Sequence, residues 1–280
     1  AESGCEDLTV AEYLTLCETS VEELGGLWLG NNDTRGSERL REGIRACYDR
    51  VGGEELLVAN GTSEANYLIA LSQLEPGDQV AFQIPNYMQL WGVSKSLGAT
   101  VNPFCLQSEK NWAIDWETFE AAVNPNTRLV YISNPNNPTG AVLPQSAMQR
   151  IVERCERMDC LLIADEVYIG AEHGDQRTPS FWGMGDKVIV TSGLSKAYGI
   201  PGLRVGWIVG PPTLVAECWS QHDYITIGPN KLSDRLTRVA IQEKNRARLY
   251  GRTRAILKEN RPLLEAWVKT VPQVSYVPSQ

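Results

Sequence analysis

Lys196 sits in Ser192-Gly193-Leu194-Ser195-Lys196-Ala197-Tyr198-Gly199-Ile200-Pro201-Gly202-Leu203-Arg204. A β-rich run, Val188-Ile189-Val190-Thr191, leads into this segment, and a Gly/Pro-rich turn separates the lysine from the arginine. A lysine amine forms a Schiff base with an aldehyde cofactor. Ser195 and Arg204 are residue types that hold a phosphate, arginine through its rigid fork of donors, and Ser192 offers a further hydroxyl. Together they describe a lysine that carries pyridoxal phosphate (PLP), beside a clamp for its phosphate.

Other segments offer complementary chemistry. Gly61-Thr62-Ser63 follows a short strand and opens a helix, where Thr62 and Ser63 can give hydroxyl and backbone donors to a phosphate. Taken alone, both read first as ordinary helix caps. Asn134-Pro135-Asn136-Asn137-Pro138-Thr139-Gly140 follows the buried-looking run Leu129-Val130-Tyr131-Ile132. Asp165-Glu166-Val167-Tyr168 follows Leu161-Leu162-Ile163-Ala164. In isolation Asn137 would be a turn residue and Asp165 a cap.

With the lysine segment, and in the same order along the chain, these segments resemble the class I/II aminotransferases, which are fold-type I PLP enzymes. The resemblance runs from about Leu27 to the end of the chain. Closer in, Leu194 to Trp207 and His222-Asp223-Tyr224-Ile225-Thr226 resemble the subgroup that includes capreomycidine synthase, a PLP enzyme that cyclises a hydroxyarginine.

The resemblance implies a role for each residue. Lys196 is the Schiff-base lysine and later carries a proton between substrate Cα and cofactor. Asp165 pairs with the pyridine nitrogen and favours the protonated ring, the better electron sink. Asn137 and Tyr168 bond the ring hydroxyl oxygen. Thr62, Ser63, Ser195 and Arg204, with Ser192, hold the phosphate. Tyr87, after the strand ending at Ile84, stacks on the ring, against the alternative of an ordinary core or surface tyrosine. Gly30 and Asn31 line the substrate side. The family also implies a homodimer whose sites take residues from both subunits, with Tyr224 to Asn230 as the inter-subunit segment, while seven cysteines without a pairing pattern point to reduced thiols in the cytoplasm.

The chain departs from the family pattern in places. Asn31 stands where many members carry a tyrosine, and Gly193 where many carry a serine. The chain stops at Gln280, before any residue that matches the family's substrate-carboxylate arginine. With Ala1 in place of an initiator Met, it reads as a fragment.

The elements that must position these residues alternate. From about Glu54, strands at Leu56–Ala59, Gln79–Phe82, Thr100–Phe104, Leu129–Ile132, Leu161–Ala164, Val188–Thr191 and Val205–Val209 interleave with helices at Ser63–Leu74, Met88–Leu97, Trp116–Ala122 and Gln145–Arg157. That pattern predicts an α/β fold, a mostly parallel sheet flanked by helices, with chemistry at the strand C-termini. Helices are expected at Val10–Cys17 and Ser37–Tyr48, and a continuous one from Pro229 to Val268 with one break at Pro262. The expected organisation is an N-terminal arm and helix over 1–48, a PLP-binding large domain over 49–245, and the start of an incomplete small domain over 246–280.

Composition narrows the partners. With 280 residues, 21% charged and a net charge of −8, the chain has no obvious attraction to nucleic acid or anionic membrane. No run is apolar enough to span a bilayer, and no signal peptide is visible. Seven cysteines at irregular spacing and two histidines give no metal pattern. The expected function is a PLP-dependent aminotransferase moving an amine between an amino acid and a 2-oxo acid, in a biosynthetic process. The alternatives are a PLP-dependent cyclase or β/γ-eliminating enzyme, and a PLP-binding remnant without activity.

Overall fold

Strands buried on both faces, such as Leu56-Leu57-Val58-Ala59, require cover on both sides of a sheet. A computed structural model of the chain describes residues 4–174 and 176–278, so the first three residues of the arm and the last two of the small-domain segment lie outside the described residues. The N-terminal arm holds α1 (Val10–Leu16), α2 (Glu22–Gly25) and α3 (Glu38–Arg45). Thr9 and Glu12 form a reciprocal capping box at the start of α1.

Then follow β1 (Leu56–Ala59), α4 (Thr62–Gln73), β2 (Gln79–Ile84), α5 (Gln89–Ser96), β3 (Thr100–Gln107), β4 (Ala113–Ile114), α6 (Trp116–Ala122), β5 (Thr127–Ser133), α7 (Gln145–Arg157), β6 (Leu161–Asp165), β7 (Val188–Gly193) and β8 (Gly206–Val209). The chain ends in α8 (Pro212–His222), α9 (Lys231–Ala240) and α10 (Glu243–Val268).

The eight strands form one sheet in the order β1-β8-β7-β6-β5-β2-β3-β4. β3, β2, β5, β6 and β7 are mutually parallel, and β8 runs antiparallel to both β7 and β1. Alternate strand residues feed opposite cores, as the pleat demands. Leu57, Phe82, Tyr131, Ile163 and Ile189 pack with α4 and α8, while Leu56, Val58, Val130, Leu162 and Val190 pack with residues of α1, α3, α7 and α10.

The expected strand and helix alternation appears, with three additions and one correction. α2, β4 and α8 were not expected. The single long helix from Pro229 is instead two, divided at Ile241 and Gln242, while Pro262 lies within α10 and does not end it. Gln242 is extended, and the Asn245 side chain donates to Val239 O at 2.9 Å, capping the end of α9. A capped, divided chain turn satisfies backbone groups that a straight helix would have carried through.

Candidate active site

The C-terminal ends of β1, β2, β5, β6 and β7 converge on one cavity of about 270 Å³. Thr62, Ser63, Tyr87, Asn137, Asp165, Tyr168, Ser195, Lys196 and Arg204 all line it. These residues come from five separate segments, brought together because parallel strands all present their C-terminal loops on one edge.

At one end lies Asp165, the last residue of β6, buried between Ser133 of β5 and Thr191 of β7. Asn66 Nδ2 and Tyr131 OH each donate to Asp165 Oδ2 at 3.1 Å, and Val167 N–H donates to Oδ1 at 3.1 Å. Asn66 is itself oriented by Thr191, whose hydroxyl donates to Asn66 Oδ1 at 2.9 Å. Burial pushes the Asp165 carboxyl above its ordinary value, opposed by these donors and by the charge of Lys196. A protonated ring nitrogen beside it would supply the positive charge that a desolvated carboxylate lacks.

At the other end, α4 begins without a side-chain cap. Gly61 precedes it at φ +90, a conformation that favours glycine, and the Arg204 guanidinium occupies the space a Cβ there would need. Arg204 is itself left-handed, at φ 51, after the 3-10 turn Pro201–Leu203, and its Nη1 donates to Pro201 O at 2.9 Å. Gly193 and Gly206 pair across β7 and β8 directly beneath Thr62. A Cβ on Gly193 would lie 2.7 Å from Thr62 Oγ1 and 2.8 Å from Val205 O, and one on Gly206 would collide with the Thr62 amide. The glycine that departs from the family's serine is therefore required here by close approach. Thr62 Oγ1 is buried with no hydrogen-bond partner among the described residues. An uncapped helix start, an orphaned hydroxyl and an arginine make a cradle that fits a phosphate.

Lys196 lines the same cavity from the loop after β7. This loop is closed by Leu194 N–H to Val205 O at 3.0 Å and Ile200 N–H to Leu194 O at 3.2 Å. Lys196 Nζ is 6.0 Å from the centre of the Tyr168 ring. Asn137 stands in a loop held by its neighbour Asn136, whose Nδ2 donates to Gln83 Oε1 at 3.1 Å and to Pro85 O at 3.2 Å. Tyr87 is half exposed on the cavity rim.

Three expected residues lie elsewhere. Ser192 does not line the cavity, because its hydroxyl turns to Glu166 O at 3.4 Å. Gly30 and Asn31 also lie outside it: the Trp28 ring packs onto Gly30, and Lys231 Nζ donates to Asn31 O at 3.5 Å. Sequence reading also missed lining residues, notably Asn66, Tyr131 and Gln89. Asn66 carried a signal, a lone amide one turn past Thr62 in the apolar run Ala65 to Ala70. Tyr131 looked like any other aromatic of a buried strand.

Residues 15–280 match the family described as aminotransferase class I and II. Capreomycidine synthase of Streptomyces vinaceus is 31% identical over 244 residues, 86% of this chain. Arginine–pyruvate transaminase AruH of Pseudomonas aeruginosa is 35% identical over 192 residues, 66% of this chain. The chain spans 63% of the first relative's length and 49% of the second's. Among solved structures, a PLP-dependent aminotransferase from Streptococcus suis superimposes with a TM-score of 0.91 at 31% identity, covering 99% of this chain and 75% of that one. The PLP-dependent cyclase OrfR superimposes at 0.86 with 25% identity, covering 100% and 73%. The chain belongs to the class I and II aminotransferase family, and its cavity fits the pyridoxal phosphate on which that family depends.

Proposed function

We propose that the chain forms the cofactor-binding part of a PLP-dependent aminotransferase that moves an amine from an amino acid to a 2-oxo acid. One observation carries this reading: Lys196 opens into the same cavity as Asp165 at one end and the Thr62–Arg204 cradle at the other. Bound pyridoxal phosphate supplies an aldehyde that captures amines and a ring that delocalises the electrons left when Cα loses its proton. Lys196 would hold the cofactor covalently and could move a proton at its Nζ. Asp165 would keep the ring nitrogen protonated, Asn137 and Tyr168 would bond the ring hydroxyl oxygen, and Tyr87 would cover the ring face. Arginine is the first amino donor to test, because AruH is named for it.

We further propose that the protein works as a homodimer in the cytoplasm. The exposed apolar side chains of Trp28 (70%), Leu29 (80%) and Tyr224 (84%) support a covered surface there. Among the described residues, no helix is long and apolar enough to cross a membrane.

A second reading, a PLP-dependent cyclase, is favoured by the likeness to capreomycidine synthase over 86% of the chain and to OrfR. The test is the visible spectrum of the full-length protein with PLP, before and after borohydride, beside Lys196→Ala. A band fixed covalently in the wild type and absent from the variant is expected; no fixed band in the folded wild type sinks both readings. Conversion of the cofactor to its amine form by amino donor alone then selects transamination, and turnover without any 2-oxo acid selects cyclisation.

A further inference from the structure

Gln89, the first residue of α5, lines the cavity beside Tyr87 and Ser63. Its Nε2 donates to Ser63 O at 2.6 Å. A carbonyl oxygen only accepts, so this bond fixes which way the amide points: nitrogen toward Ser63, oxygen away from it. That oxygen, Oε1, is buried and has no hydrogen-bond partner among the described residues. A buried acceptor without a donor is costly, and such a group at a binding site is explained when a ligand supplies the donor.

The cofactor phosphate cannot do so, because its ionised oxygens also only accept. The ring hydroxyl oxygen lies with Asn137 and Tyr168 in the proposed arrangement. A substrate entering this cavity can supply that donor. We infer that Gln89 is a specificity residue, whose Oε1 accepts a hydrogen bond from a guanidinium at the far end of the substrate side chain. A guanidinium presents five N–H donors in a rigid plane and has no acceptor to clash with the amide oxygen. This inference rests on the aminotransferase or cyclase reading of the same cavity.

The test uses the full-length protein loaded with PLP. Its ligands are the α-methyl derivatives of arginine and norleucine, which cannot lose a Cα proton and so report binding and not turnover. Dissociation constants are read from the shift of the visible cofactor band. The wild type is expected to bind the arginine derivative about 10- to 100-fold more tightly, the range that one hydrogen bond to a charged group provides. Equal affinities overturn the inference. In Gln89→Met, the arginine derivative should weaken by about that factor, with the norleucine derivative changing less than about threefold. A preference that survives in Gln89→Met, or an equal loss for both ligands, overturns it. Should Gln89→Met fail to hold PLP, Gln89→Glu decides: it keeps an acceptor and should keep the preference, and losing it overturns the inference. A wild type that shows no borohydride-fixed band fails the functional reading itself. A fixed band without a preference fails only the assignment of Gln89.

Discussion

The two ends of the cavity are built on opposite plans. The phosphate end is open in its bonding: α4 starts uncapped, Thr62 Oγ1 has no partner, and glycines at 61, 193 and 206 leave room for close approach. The ring end is closed: Asp165 already accepts from Asn66, Tyr131 and Val167. The difference follows from charge. An incoming phosphate brings its own negative charge, so the protein need only leave donors waiting. A buried carboxylate must survive before the cofactor arrives, so it is surrounded by donors in advance.

The largest effect should come from filling the open end. Gly206→Ala puts a methyl group against the Thr62 amide, so helix or strand must shift. We expect PLP affinity, followed by absorbance titration, to fall more than about 100-fold, a loss of charge-assisted bonds to phosphate. Asp165→Asn should weaken PLP less than this; the reverse ranking would break the comparison.

A pH series separates the ends next, because only the ring end depends on desolvated carboxylates. Glu166, behind Asp165, is raised to about 8, mainly by burial, against donors from Phe181 N–H and Ser180. Its folded value lies above its unfolded one, so its contribution is fully present below about pH 4.5 and is lost as pH rises toward about 8. Glu166→Gln should remove that decline. In urea unfolding at pH 8 the variant is expected to be roughly 2–3 kcal/mol more stable relative to wild type than at pH 4.5. An unchanged pH profile would show that the carboxyl is paired.

The smallest expected effect sharpens the closed end. Asn66→Ala leaves the Thr191 hydroxyl without its acceptor and Asp165 Oδ2 with one donor fewer. Stability should fall by roughly 1–2 kcal/mol, with PLP affinity changing less than in Gly206→Ala. A larger loss of PLP affinity than of stability would make Asn66 part of the binding machinery rather than a support for Asp165.

Much of the fold was legible because strands of a two-sided sheet are short apolar runs between turn signals. Trp116–Ala122 was legible to the residue, and a helix near Gln145 to Arg157 was legible in place. The division after α9 was not, because it depends on one side chain, Asn245, reaching back to a carbonyl six residues earlier. In the cavity, Lys196, Asp165 and Arg204 stood out because few other roles need those residue types after strands. Ser192 did not behave as its type allowed, since a strand residue's direction is set by the pleat and its hydroxyl found a carbonyl instead. Asn66, Tyr131 and Gln89 stayed hidden because their roles lie in what they touch.

The sequence by itself determined the alternation of strands and helices, the family, and which residue types carry charge, amine and hydroxyl to the strand ends. Local chemistry and periodicity suffice for that. Only the tertiary structure decided that Gly193 and Gly206 must both lack a side chain beneath Thr62, that Asn66 and Tyr131 hold Asp165, and that one oxygen of Gln89 is left over. Those are contacts between residues far apart in the chain, and their distances are fixed by how helices seat on the sheet, which no single segment encodes.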